Sequence, residues 1–144
     1  MARLKSDKRR GRLTFLLFDE SETNLVGHPR LIPQHIALPT RCPIEIAHEG
    51  FLVGEVCAYF LNDPNGLSLP ALEGNYVLAS AYLYDSDLSG KVMEAVKHGI
   101  LTHACPNIWS PPGSPTGTGL LVQISLVPND LPGCPNARIL EWSE

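Results

Sequence analysis

Thirteen prolines and twelve glycines are spread along a chain of 144 residues. Proline fixes φ and removes a backbone donor, and glycine loosens the chain, so this density favours short strands and turns over long helices. Apolar residues make up 44% of the chain and charged residues 18%, which suits one compact core rather than a disordered chain. The length fits a single domain. No apolar run approaches the roughly 18 residues of a membrane-spanning helix. The basic start is not followed by a signal-peptide core, so the chain is expected to stay inside the cell that makes it, away from membranes.

Leu13–Asp19 (LTFLLFD) reads as a strand, and residues 26–43, with four prolines, read as an extended segment lying along a surface. Ile44–Leu61 is rich in β-branched and aromatic residues and reads as two strands, bent near Gly50 or Gly54. The turn signal Asn62–Gly66 (NDPNG) follows. Asn75–Asp85 alternates, with Tyr76, Leu78, Ser80, Tyr82 and Tyr84 on one face and Val77, Ala79, Ala81 and Leu83 on the other. The one helix lies in residues 85–99: Ser86 or Ser89 can cap it, Val92, Met93 and Val96 form its apolar stripe, and Gly99 stops it. Ile100–Cys105 reads as a strand, Ser110–Gly119 as a mobile loop, Leu120–Val127 as a buried strand and Ala137–Trp142 as a closing strand. No internal repeat is read. The sum is a mainly β domain with one main helix, of α+β class, expected to form a small closed or half-open barrel.

The net charge of −4 conceals a split. Residues 1–13 hold six Lys/Arg and one Asp, a net +5, whereas residues 14–144 hold five Lys/Arg and fourteen Asp/Glu, a net −9. Arg3, Lys5, Lys8, Arg9, Arg10 and Arg12 therefore form a basic arm able to meet an acidic protein surface or nucleic acid. The acidic body and the lack of interleaved aromatics count against nucleic acid as the main partner. Four cysteines, at 42, 57, 105 and 134, have no CxxC spacing, so thiols are expected rather than disulfides. Zinc would need ligands from distant segments, and neither a metal nor another cofactor is expected. His28, His35 and His98 read as surface residues.

Three stretches, in order, carry a resemblance. They are Ile46–Val56 (IAHEGFLVGEV), Leu88–Cys105 (LSGKVMEAVKHGILTHAC) and Leu120–Leu140 (LLVQISLVPNDLPGCPNARIL). Together they resemble the prohead (capsid maturation) protease family of tailed phages, whose fold is shared with herpesvirus assemblins. The resemblance runs from Ile44 onward, dividing the chain into a basic arm (1–13), a strand with a proline-rich segment (14–43) and a protease-like β domain (44–144). It implies peptide hydrolysis inside an immature capsid by a serine, a histidine base and an orienting group. It puts the base at His48, with Gly54 and Val56 in the turn that follows. The nucleophile position, sixth after Gly99, is Cys105, and the orienting position before Ile124 and Ser125 is Gln123.

Two of the three roles differ from the family pattern. A thiol can replace a hydroxyl when its thiolate is stabilised. Pro106, directly after it, supplies no N–H for an oxyanion. Gln123 can hold an imidazole but cannot stabilise the imidazolium by charge. His103, two residues before Cys105 and on the same face of a strand, is a substitute base or orienter. Ser125 reads as packing, while Ser110, Ser114 and Thr116 face either a substrate or a neighbouring subunit. The expected function is a virion head protein, made in the host cytoplasm, with a retained fold and silent chemistry. It would bind the major capsid protein, or further copies of itself, as a decoration or cement subunit. The alternative is an active maturation peptidase using a Cys105–His48 pair.

Overall fold

The computed structural model describes residues 9–20, 31–46, 50–128 and 137–144. Among these, eight strands form one sheet: β1 (Arg9–Asp19), β2 (Ile36–Ala37), β3 (Pro43–Ile46), β4 (Leu52–Leu61), β5 (Tyr76–Tyr84), β6 (His103–Trp109), β7 (Gly119–Val127) and β8 (Ile139–Ser143). One helix, α1 (Asp87–Lys97), and a short 3-10 turn (Pro33–His35) complete the elements. The described residues are mainly β with one helix, as the proline and glycine density implies.

From β7 the sheet runs through β3, β4, β5 and β1 to β8. β6 pairs antiparallel along β7, while β2 and β3 pair with it in parallel, at opposite ends of the strand. The sheet is not closed. Residues 137–139 lie between its two edges, where Ala104 N–H donates to the Ala137 carbonyl (2.7 Å) and Ile139 N–H to that of Thr102 (2.9 Å). On the other side, Leu16 N–H donates to the Arg138 carbonyl at 2.9 Å. The closing strand thus begins at Ile139, two residues later than expected, because Ala137 and Arg138 serve this junction.

β5 lies between β1 and β4, and its side chains are buried on both faces. One face joins the core through Val77, Ala79, Ala81 and Leu83. The other carries Leu78, Ser80 and Tyr82, and Leu16 on β1, the strand partner of Leu78, lines a small cavity together with Pro70, Ala71 and Leu72. That loop is fastened to the end of β1. Glu73 N–H donates to the buried Asp19 carboxylate (3.0 Å), and the Asn75 N–H and side-chain amide both donate to Glu20 (2.7 Å each).

α1 covers one end of the core, burying Val92, Met93 and Val96 at about 2 kcal/mol for each side chain. Ser86 caps its start by accepting from Ser89 N–H at 3.1 Å, and Ser89 Oγ donates to the Val53 carbonyl at 2.9 Å, tying the helix to β4. Its end is a Schellman turn. Ile100 N–H donates to Ala95 O (2.8 Å) and Gly99 N–H to Val96 O (3.1 Å), which needs the positive φ of 71° that glycine supplies at 99.

One expectation changes. β1 begins at Arg9, inside the stretch assigned to the arm, because Arg9, Gly11 and Arg12 find strand partners in Tyr84, Leu83 and Tyr82. The loop expected between β6 and β7 is there, built as two consecutive turns of one kind. Ser114 donates through N–H and Oγ to the Pro111 carbonyl (3.0 and 2.6 Å), and Thr118 does the same to Pro115 (3.3 and 2.7 Å). Gly113 and Gly117 occupy the positive-φ positions, so Ser-Pro-x-Gly is a tandem repeat of a turn that closes on itself.

Candidate functional site

The wall built from β3, β7 and β6 carries the residues singled out in the sequence. Cys105 on β6 is the direct partner of Ser125 on β7, and Ser125 is in turn the partner of Glu45 on β3. Partners on adjacent strands share a face, so the three side chains form a row across the sheet. They are 7%, 0% and 3% exposed, respectively. His103 and Asn107, two residues to either side of Cys105, share its face, as does Gln123 beside Ser125. The opposite face of the same strands, with Ile44, Ala104, Ile124 and Leu126, belongs to the core.

Gln123 does not stand alone. Its Nε2 donates to Glu45 Oε1 at 2.8 Å, across the parallel β3–β7 pair. A buried carboxylate, that of Glu45, thus lies one strand away from Gln123 and in contact with it. Sequence reasoning missed Glu45 as a site residue. The available signal was a charged side chain between Ile44 and Ile46, three residues before His48. Ser125 was read as packing, and its complete burial agrees with that.

The remaining members divide. His103 is buried, and its Nδ1 shares a hydrogen with Thr102 Oγ1 at 2.7 Å. His48, and with it any contact between its ring and the Cys105 sulfur, lies outside the described residues, as do Arg3, Lys5 and Lys8. Arg9 and Arg10 are in β1, and Arg12 is exposed there beside Tyr82 and Ser143. Cys42, Cys57 and Cys105 are thiols, not disulfides. Cys42 packs near Tyr59 on β4, where burial pushes its thiol up to about 12.

Two features set what this wall can do chemically. Strands lie about 4.8 Å apart, so Glu45 and Cys105, two strands from each other, are separated by about 10 Å of backbone. An imidazole with a hydrogen bond at each nitrogen spans about 8 Å. A histidine linking this carboxylate to this sulfur would therefore lie over Ser125. The second feature is Pro106. Ala104 N–H points away from β7, towards Ala137. Amides alternate along a strand, so the nitrogen of Pro106 faces the same outer edge and offers no hydrogen there.

No family model matches the chain, and no curated protein or solved structure matches it.

Proposed function

We propose that this protein is a virion head protein with a half-open barrel of the prohead-protease kind, catalytically silent, that binds the major capsid protein as a decoration subunit. The observation that carries the reading is the state of the nucleophile position. Cys105 is 7% exposed and backed by a proline whose nitrogen offers no oxyanion donor at the open edge of β6. Silent chemistry leaves a binding role, and the opposite end of the β6–β7 hairpin has a surface for one. Trp109 and its strand partner Leu120 are exposed, with Val122 two residues on, beside the self-closed double turn. Adjacent exposed apolar side chains of this kind mark a contact with another protein.

The register of Glu45 supports a second reading. A buried carboxylate in one row with Cys105 is where an orienting group for a histidine belongs, so an active cysteine peptidase is the alternative. One experiment separates the two. Purified protein is incubated with unprocessed capsid shells, and the bound copies and any cleavage are both measured. The silent reading expects stoichiometric binding, no cleavage, and the same binding by Cys105→Ala and by the native chain. Cleavage lost in Cys105→Ala establishes the peptidase. Absence of both binding and cleavage overturns both readings. Substituting Trp109→Ser should reduce binding at least about tenfold if the hairpin is the contact.

A further inference from the structure

The outer face of α1 bears a charge pattern that is complementary to itself. Asp87, Gly90, Lys91, Glu94, Ala95 and His98 line a shallow trough of about 600 Å³ along the helix, ended by the exposed Ile100. The charged members alternate in sign when His98 is protonated: Asp87, Lys91, Glu94, His98. Asp87 and Lys91 have no ion-pair partner among the described residues, while Glu94 lies near Lys97 (3.3 Å) and His98 (3.6 Å).

We propose that this face pairs with the same face of a second copy, the two helices running antiparallel about a two-fold axis level with the Val92–Met93 step. In that arrangement each position meets the one equally far beyond the centre. Asp87 faces the second copy's His98 and Lys91 faces the second copy's Glu94, and symmetry repeats each contact. A parallel pairing would set every charge against its own kind. The antiparallel one also sets helix dipoles head to tail. Gly90 and Ala95, at the same levels on either side of the centre, hold nothing bulky between the backbones. The pairing goes beyond the capsid reading and does not depend on it.

The helix is 11 residues long, about 16 Å, so the contact is small and the association weak. It matters where copies are concentrated.

Sedimentation velocity of the full chain tests this, from roughly 10 µM to 1 mM at low salt. The native chain should approach a dimer at the upper end, and about 0.5 M salt should reverse it. Lys91→Glu and Glu94→Lys each replace two attractions with two repulsions and should weaken the dimer about tenfold or more. Mixed in equal amounts, the two variants should associate again, since each supplies the charge the other lacks. A chain monomeric throughout overturns the proposal, as does a dimer indifferent to both reversals, or a mixture no better than its components. Circular dichroism checks that the variants are folded. If either is not, Lys91→Gln and Glu94→Gln replace the reversals, with a smaller loss expected from each and indifference to both again overturning the pairing.

Discussion

Replacing Gln123 by glutamate sets a second carboxyl group against Glu45, and the structure gives a reason why the chain should resist it. Glu45 is 3% exposed and accepts from the Gln123 amide at 2.8 Å. A hydrogen bond to a charged group contributes about 1.5–3 kcal/mol. Two ionised carboxylates about 3 Å apart would repel by about 5 kcal/mol at an effective dielectric constant near 20. Keeping one proton between them is less costly, because the shared O–H then donates where the amide did. Holding that proton at pH 7 on a carboxyl with a reference pKa of about 4.3 costs about 3.7 kcal/mol. This is below the repulsion, so it sets the ceiling, and Gln123→Glu should lose about 3–4 kcal/mol at pH 7. The sign of the pH dependence follows. The new carboxyl is raised above its unfolded value, so between those two values the folded state binds more protons, and stability falls as pH rises. At about pH 4.5 the loss should nearly vanish. Urea unfolding of the native chain and the variant, at both pH values, measures the difference. A loss equal at the two pH values, or no loss at pH 7, would refute the contact between Gln123 and the Glu45 carboxyl group.

Other outcomes are expected from single contacts. Ser86→Ala removes the cap on α1 and should cost about 1 kcal/mol, read as a lower melting temperature without loss of fold. Gly54→Ala would drive a methyl group into the Tyr82 carbonyl of the neighbouring strand, and should destabilise by more than about 2 kcal/mol in a denaturant titration. Alkylation near pH 8, followed by mass spectrometry, should modify the exposed Cys57 before Cys42 and Cys105, and leave Cys42 untouched until the chain unfolds. Because burial raises the folded-state Cys42 thiol to about 12, its contribution to stability is present below about pH 9 and is lost as pH rises above that. Cys42→Ala should flatten that alkaline decline.

What was legible in the sequence was local. The helix could be bounded because Ser86, the stripe of Val92, Met93 and Val96, and Gly99 act within a few turns of one another, and the same residues cap, bury and stop it in the structure. β5 could be placed from its alternation, but neither the burial of its second face nor the fastening of Glu73 and Asn75 by Asp19 and Glu20, more than fifty residues away, could be read locally. The arginines of β1 look like a solvated tail because charge dominates their composition, while their strand partners lie some seventy residues on. The double turn is written in the sequence as Ser-Pro-x-Gly twice over, a repeat too short to be read as one without its hydrogen bonds. Glu45 escaped notice for a related reason. A single charge between two isoleucines reads as the wet side of an alternating strand, and only the parallel pairing with β7 turns it towards Gln123 and Ser125.

Pro106 joins the fold to the function proposed for it. A strand at the edge of a sheet offers unpaired amides to any passing chain, a liability that grows with local concentration. On β6 the outward amides belong to Ala104, Pro106 and Ile108, and Ala104 is already engaged with Ala137. Proline at 106 silences the next donor, while its ring is tolerated because β7 pairs with the other edge. The same missing hydrogen deprives the neighbouring sulfur of the nearest oxyanion donor. On the proposed reading, a subunit crowded beside its own copies on a shell gains from that missing donor, whereas a catalytic reading has to find its oxyanion donors elsewhere on the wall.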